Sequence, residues 1–303
     1  MKKVFLSIIF LFVIFSSTSA CDICGCGLGN YYIGMLPQFS RSFFGLRYQY
    51  RKFHTQLASD PSQFSNDIFQ SLELWGGVNL GKKWQMLAFM PYNINRQHSD
   101  DGITNTHGPG DMAVLMNYKI FDRPSINKHN SSILQQLWVG AGIKIPTGKV
   151  DVDPADPEIV AVANSQMGTG STDVMLNGMY TIRIRKIGIN TTTNYKMNTK
   201  NKFDYRFGNK FTANSFAYYS IESKKINLAP NIGLMYENSA NNKLKGAVID
   251  QTGGYVALAA AGIEMNLNKI SIGVNTQIPF SQDFAKGQTQ TRSRVMCHVT
   301  FSL

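Results

Sequence analysis

A period-two alternation of apolar and polar residues is the feature that most constrains the fold of this chain. Twelve stretches of about 10–16 residues follow residue 40, and many of them alternate in this way. In the last stretch, residues 292–303, one parity reads Val, Cys, Val, Phe and Leu, and the other reads Arg, Arg, Met, His, Thr and Ser. Successive side chains of a β-strand point to opposite faces, so this pattern predicts strands with one apolar face and one polar face.

The links between the predicted strands are alternately short and long. The strands are predicted at 43–54, 67–80, 84–97, 109–121, 133–146, 170–184, 187–198, 207–222, 226–238, 254–267, 269–280 and 291–303. Four links are tight, at 81–83, 185–186, 223–225 and 268, and a fifth, at 122–132, is longer. The other links are generally long, at 55–66, 98–108, 147–169, 199–206, 239–253 and 281–290.

Short turns at one end and long loops at the other are typical of bacterial outer-membrane barrels, whose short turns face the periplasm. The sequence therefore predicts an all-β fold, a transmembrane antiparallel up-and-down β-barrel of about 12 strands. Both termini are expected to face the periplasm.

The composition agrees with a barrel that faces lipid. Charged residues make up 16% of the chain and aromatic residues 12%, whereas a soluble domain has about 25% charged residues. The net charge of +11 would suit nucleic acid, but the secretory signal described next argues against such a partner. Outer-membrane lipid and a small-molecule solute are the expected partners, and the barrel is expected to be a monomer.

The N-terminal region has the pattern of a secretory signal peptide. Two lysines precede an apolar run of 12 residues, which ends in a stretch of small residues. Cleavage after Ala20 would leave Cys21 at the new N-terminus. The predicted division of the chain is a signal peptide at 1–20, a Cys/Gly-rich periplasmic segment at 21–40 that could plug the barrel, and the barrel at 41–303.

Three cysteines, Cys21, Cys24 and Cys26, open the mature chain. The C-x-x-C spacing lets two thiolates bind one soft metal ion, such as Zn²⁺ or Cu(I), and Cys26 could supply a third ligand. A disulfide with one spare thiol and lipidation of Cys21 are the alternatives. No other cofactor is predicted. If the cysteines bind metal or a periplasmic partner, the barrel would act as a platform for that segment.

The polar parity of the predicted strands identifies candidate lumen residues of both charges. They are Arg47, Gln49, Arg51, Glu73, Asp111, Lys119, Lys144, Asp173, Arg183, Lys196, Glu237, Glu264, Arg292, Arg294 and His298. These side chains could pair with one another across a narrow barrel or contact a solute. The sequence shows no nucleophile–base spacing, phosphate-binding loop or zinc-protease motif, so enzymatic activity is not expected.

Three glycine-rich patches follow one another on consecutive hairpins: Gly108-Pro109-Gly110-Asp111, then Gly140-x-Gly142-x-Lys144-x-Pro146-Thr147-Gly148, then Gly168-Thr169-Gly170-Ser171-Thr172-Asp173. Their order resembles the outer-membrane family named after the meta-pathway of phenol degradation, which is distantly similar to long-chain fatty-acid channels. The resemblance covers about residues 40–303. It implies a barrel of about 12 strands and passage of small, often hydrophobic, solutes.

These observations together predict a passive channel with a narrow, polar lumen. The loop at 147–169 or the N-terminal segment would gate it. Because the cysteines lie outside the part of the family pattern that matches, the platform function remains the alternative.

Overall fold

The computed structural model describes residues 41–56, 62–99, 102–126, 132–150 and 166–303. The predicted signal peptide and the Cys/Gly-rich segment lie outside these ranges. No helix within them is both long and apolar enough to cross a membrane.

The described chain contains seventeen strands and one 3₁₀ turn at Ala285–Gly287. In chain order the strands are β1 (Phe43–Gln56), β2 (Phe64–Leu80), β3 (Trp84–Ser99), β4 (Gly102–Pro109), β5 (Met112–Ile126), β6 (Ser132–Ile145), β7 (Asp173–Ile184), β8 (Ile187–Met197), β9 (Tyr205–Arg206), β10 (Lys210–Tyr219), β11 (Ile221–Glu222), β12 (Ile226–Ser239), β13 (Lys243–Leu244), β14 (Ala247–Val248), β15 (Gly254–Leu267), β16 (Ile270–Phe284) and β17 (Thr289–Ser302).

Twelve antiparallel passes close into one barrel. Consecutive passes along the chain are neighbours in the sheet from β1 to β17, with β4 and β5 together forming a single pass against β3. The first strand pairs with the last, Phe43 opposite Ser302, which closes the ring. The predicted up-and-down barrel of about 12 strands is therefore confirmed. The short strands β9, β13 and β14 form a separate small sheet.

The two parities of each strand separate as the alternation predicts. In β1, Phe43 and Arg47 are buried inside the barrel, while Phe44 and Leu46 are exposed on the outside. Outward residues elsewhere are strongly apolar and exposed, as shown by Ile232 at 67%. An apolar outer face allows the strands to lie in lipid while every strand keeps its ladder hydrogen bonds.

Aromatic side chains mark both ends of the apolar outer band. At one end Phe44 stacks on Phe301, with ring centroids 5.4 Å apart, and Trp84 is also exposed there. Toward the other end Tyr236 stacks on Tyr255 at 6.1 Å. Such girdles lie at the two interfaces of a membrane with water.

The two ends of the barrel differ in their connections. The turn end carries the start of β1, the end of β17 and tight turns such as Lys82–Lys83 and Arg185–Lys186. The loop end carries long connections at 146–172, 198–209 and 240–253.

Two predicted long links are wrong. The link at 281–290 is short, because β16 runs to Phe284 and β17 begins at Thr289. The link at 98–108 is mostly strand. The strand β3 continues to Ser99 and pairs with β4, with Gln97 opposite Thr104 and Asn95 opposite Thr106. These paired residues are mainly polar, so the hairpin extends without the apolar alternation that would have identified it in the sequence.

Candidate functional site: the barrel interior

The inward-facing side chains of the barrel are packed against each other. Leu87, Leu115, Gln85 and Asn117 all face inward and have no measurable exposure to solvent. Side chains that line a wide aqueous pore would be wetted instead. Along these strands the interior therefore resembles a protein core more than an open channel.

An apolar cluster, here called the aromatic wall, lines one side of the interior. Its members come from β1, β2, β3, β5, β6 and β7 and are Phe43, Trp75, Leu87, Phe89, Ala113, Leu115, Trp138, Met175 and Met179. The Trp75 ring lies 5.0 Å from that of Phe43 and 6.4 Å from that of Phe89. Large apolar and aromatic side chains therefore lie on the interior face among many buried polar ones.

A second apolar cluster lies on strands β10, β12, β15 and β17. It consists of Phe216, Met235, Val256, Leu258, Ala260 and Met296. A separate ring pair, Phe53 and Phe69, meets edge to face at 5.6 Å. Apolar surface is therefore available on both sides of the interior.

Buried ionisable side chains lie beside the aromatic wall. Arg47 on β1 lies opposite Glu73 on β2 and forms an ion pair with it. The Arg47 guanidinium also lies over the Trp75 ring, 4.8 Å from its centroid. Beside it, His298 Nε2 is 3.2 Å from Glu264 Oε2. Burial of charges is tolerated when ions pair and ring faces attract the cation, as here.

Glu237 is the centre of a second buried ionic group, here called the Glu237 cluster. Arg294 Nη1 donates to Glu237 Oε1 at 2.7 Å, and Lys210 Nζ lies 3.4 Å from Glu237 Oε2. Arg51 is directly opposite Arg294 in the register of β1 and β17. A small cavity adjoins the cluster and is lined by Gln49, Tyr50, Arg51, Met235, Gln277, Arg294, Val295 and Met296.

Asp111 organises a buried network at the loop end. Its Oδ1 accepts from the Gly148 amide at 3.0 Å, and its Oδ2 accepts from the Thr169 amide at 2.9 Å. Lys144 Nζ donates to Asp111 Oδ2 at 2.6 Å and lies 2.9 Å from Asp173 Oδ2. We call these five residues the Asp111 network. It ties together the two ends of the connection between β6 and β7.

The three glycine-rich patches of the sequence meet in this network. Each patch supplies part of it: Asp111 from the first, Lys144 and Gly148 from the second, and Thr169 and Asp173 from the third. A Cβ on Gly148 would lie 2.7 Å from the Gly168 Cα, closer than side chains are found. The motif thus encodes a close crossing of two loop stems.

Neighbouring loops are bound to the same region. Asn201 Nδ2 donates to the Thr169 carbonyl at 3.2 Å. Asn242 Nδ2 donates to the Tyr205 hydroxyl oxygen at 2.7 Å, and Tyr205 is almost fully buried. The stems of three long connections are therefore joined by side-chain hydrogen bonds at the loop end.

Two predicted lumen residues lie at the turn end of the barrel rather than deep inside it. Lys119 Nζ is 3.0 Å from Asp122 Oδ2 and lies 4.8 Å from the centre of the Trp138 ring. Arg183 is partly exposed and pairs with Glu222.

The prediction that Arg292 faces the lumen is wrong, because Arg292 does not share the inward face of Arg294. Arg292 and its neighbour Ser293 are both exposed, while Thr291 and Arg294 are both buried. The register of β1 with β17 shifts at this point, which indicates a β-bulge. One extra residue in a strand reverses the parity beyond it.

The inward positions found by sequence are Arg47, Gln49, Arg51, Glu73, Asp111, Lys144, Asp173, Lys196, Glu237, Glu264, Arg294 and His298, all of which are buried. Sequence reasoning missed Lys210 and the aromatic wall. A signal was present for Lys210, because it shares its parity with Thr212 and Asn214 on β10.

Within the described ranges no three His, Cys, Asp or Glu side chains are grouped as a metal site. Cys21, Cys24 and Cys26 lie outside those ranges. Cys297 is on the outward parity with Val299, as its alternation predicts.

The fold resembles solved outer-membrane barrels. The COG4313 outer membrane channel from Pseudomonas putida F1 aligns over 87% of this chain and 95% of its own, with a TM-score of 0.62 and 14% identity. The beta domain of the Bordetella autotransporter BrkA aligns over 87% of this chain and 100% of its own, with a TM-score of 0.49 and 8% identity. At 14% identity the likeness to the COG4313 channel concerns the fold alone. A comparison with curated protein sequences gave no match.

A family model described as "Putative MetA-pathway of phenol degradation" matches residues 54–288, well over half of the chain. The match spans all three glycine-rich patches and every member of the aromatic wall except Phe43. The expected absence of enzymatic activity agrees with this match and with the outer-membrane fold. The protein is a bacterial outer-membrane β-barrel, and it belongs to the family of the MetA-pathway of phenol degradation.

Proposed function

We propose that this barrel is a gated channel that carries small hydrophobic solutes, in particular aromatic ones, across the outer membrane. The aromatic wall is the observation that carries this proposal. Trp75, Phe89 and Trp138 face inward, where a channel for polar solutes would have wettable side chains. The family description, which refers to phenol degradation, favours the same class of solute.

The aromatic wall has the chemistry to bind a ring transiently. Offset or edge-to-face contacts between rings contribute about 0.5–1.5 kcal/mol beyond the burial of apolar area. Met175 and Met179 add flexible side chains that adapt to differently shaped solutes. Several weak contacts of this kind allow a solute to bind and to leave, which conduction requires.

Passage requires movement, since the inward side chains are buried against one another. The Asp111 network holds both stems of the connection between β6 and β7 together at the loop end of the barrel. This supports the loop at 147–169 as one gate. The N-terminal segment at 21–40 remains the other candidate gate.

We further propose that the turn end faces the periplasm, with both termini on that side. Exposed basic residues occupy its tight turns, namely Lys82, Lys83, Arg185, Lys186, Lys224, Lys225 and Lys269. The long connections would then face the outside, as in bacterial barrels generally.

Solute uptake by intact Gram-negative cells tests this proposal, because the outer leaflet of their outer membrane slows the diffusion of hydrophobic solutes. Initial uptake of radiolabelled phenol and of a polar solute, ribose, would be compared in cells with and without the protein. We expect phenol uptake to rise by a larger factor than ribose uptake. A Phe89→Leu variant should lower the phenol-to-ribose ratio, while Phe44→Leu, which removes an outward ring, should not. Equal stimulation of both solutes would contradict the proposal.

The three N-terminal cysteines carry a separate proposal, that the segment binds Zn²⁺ or Cu(I). It rests on their spacing alone. Metal content of the purified protein, compared with a variant in which all three are serine, tests it. Equal metal content in the two proteins would contradict metal binding.

A further inference from the structure

We propose that the cavity beside the Glu237 cluster binds the carboxylate group of a permeating solute. The inference rests on the proposed function and narrows the solute class to monocarboxylic acids with a small aromatic or apolar body. The cavity, its two arginines and its apolar lining carry the inference.

Two guanidinium groups line the cavity from adjacent strands. Arg51 and Arg294 are directly opposite each other, and both are buried. A guanidinium presents its N–H donors in a planar fork that matches the two oxygens of a carboxylate. Arg51 Nη2 donates to Gln49 Oε1 at 3.2 Å and Arg294 Nη1 donates to Glu237 Oε1 at 2.7 Å, so a carboxylate held by both forks would take over part of these hydrogen bonds.

The local charge also favours an anion. Among the described side chains that line the cavity or contact Glu237, Arg51, Arg294 and Lys210 are cations, and Glu237 is the acid. Like charges directly opposite in a sheet repel each other, and the repulsion is stronger at low dielectric. A solute carboxylate that enters here would offset the repulsion between Arg51 and Arg294.

The rest of the lining suits the body of such a solute. Met235 and Met296 belong to the second apolar cluster, and Gln49 and Gln277 add amide groups. In this structure the cavity has room for about one or two water molecules. A solute would therefore displace water and move the flexible methionine side chains.

Other buried charges in the described part of the chain do not offer this combination. The Asp111 carboxylate already accepts hydrogen bonds from Gly148, Thr169 and Lys144, so that network holds the loop stems together. Arg47 is held between Glu73 and the Trp75 ring.

The test is calorimetric titration of the refolded, detergent-solubilised full chain with benzoate and with benzamide, its neutral isostere. We expect benzoate to bind the wild-type protein more tightly than benzamide. Arg51→Gln should weaken benzoate binding about 10- to 100-fold, because it removes charge-assisted hydrogen bonds, and should leave benzamide binding unchanged. Lys52→Gln is the matched control, since it removes the same charge from the next, outward-facing residue.

Folding of Arg51→Gln is checked by gel electrophoresis, where a folded barrel changes its migration on heating. If this variant fails to fold, a second variant keeps the inference testable. Glu237→Gln removes the competing acid, so benzoate should bind it more tightly than it binds the wild-type protein. Equal binding of benzoate and benzamide, unaffected by Arg51→Gln, would overturn the carboxylate site while leaving the proposed function intact. Failure of the folded protein to bind either compound would contradict both.

Discussion

Single inward residues stabilise the barrel by pairing charges that water does not reach. Arg47 is 1% exposed and Trp75 is 2% exposed, so the Arg47–Glu73 pair is removed from solvent. Breaking such a pair leaves a buried charge without its counterion, which costs more than loss of an exposed pair.

Replacement of Glu73 by glutamine is therefore expected to lower the free energy of unfolding by about 3–5 kcal/mol. The matched control is Glu222→Gln, which breaks the exposed pair with Arg183 and should cost about 0–1 kcal/mol. Urea unfolding of both variants in lipid vesicles, followed by tryptophan fluorescence, measures the difference. Similar losses for the two variants would show that the interior pair is solvated.

The sequence predicts which face a residue occupies better than it predicts what that face is made of. The segment from Met86 to Pro91 is apolar on both parities, so Leu87 and Phe89 could not be assigned to the interior from their own polarity. Arg292 failed for a different reason, because a one-residue bulge has no composition signal in this strand.

At the scale of elements, the glycine-rich motif links strand ends to loop stems by hydrogen bonds and an ion pair. Asp111 lies in the break between β4 and β5, where an interrupted strand can turn its carboxylate toward amides of the next connection. The order of the three patches was visible in the sequence. Their convergence was not, because residues 111 and 169 are 58 positions apart.

An Asp111→Ala variant is expected to loosen the stems of that connection. The amides of Gly148 and Thr169 lose their acceptor, so their hydrogen exchange should speed up by at least about tenfold. Asp122→Ala, at the opposite end of the barrel, should leave both amides unchanged. Mass-spectrometric exchange of the refolded protein reads this out, and unchanged exchange in Asp111→Ala would contradict the role of the network.

At the scale of the whole molecule, the closed ring and the alternation together determine the number of passes. The spacing of the hairpins along the sequence was enough to predict twelve passes. The length of the β3–β4 hairpin could not be predicted, because its polar tip lacks an apolar face. The orientation of the barrel in the membrane is the next property to establish.

Matched lysine-to-cysteine variants test that orientation, with the four native cysteines replaced by serine. Lys243→Cys at the loop end should react with a membrane-impermeant maleimide on intact cells. Lys82→Cys at the turn end should react only after the outer membrane is permeabilised. The opposite pattern would show that the barrel is inserted the other way round.

The central claim is that an aromatic solute enters the packed interior, and the three tryptophans allow a direct measurement. Trp75 and Trp138 face inward, while Trp84 faces outward. The probe is 4-bromophenol, whose heavy atom quenches tryptophan fluorescence on contact. It would be titrated into the Trp84→Phe variant, which keeps the two inward tryptophans. It would also be titrated into the Trp75→Phe/Trp138→Phe variant, which keeps only the outward tryptophan. The account predicts saturable quenching in the first protein and only linear, collisional quenching in the second. Linear quenching in both would contradict entry of the solute into the barrel.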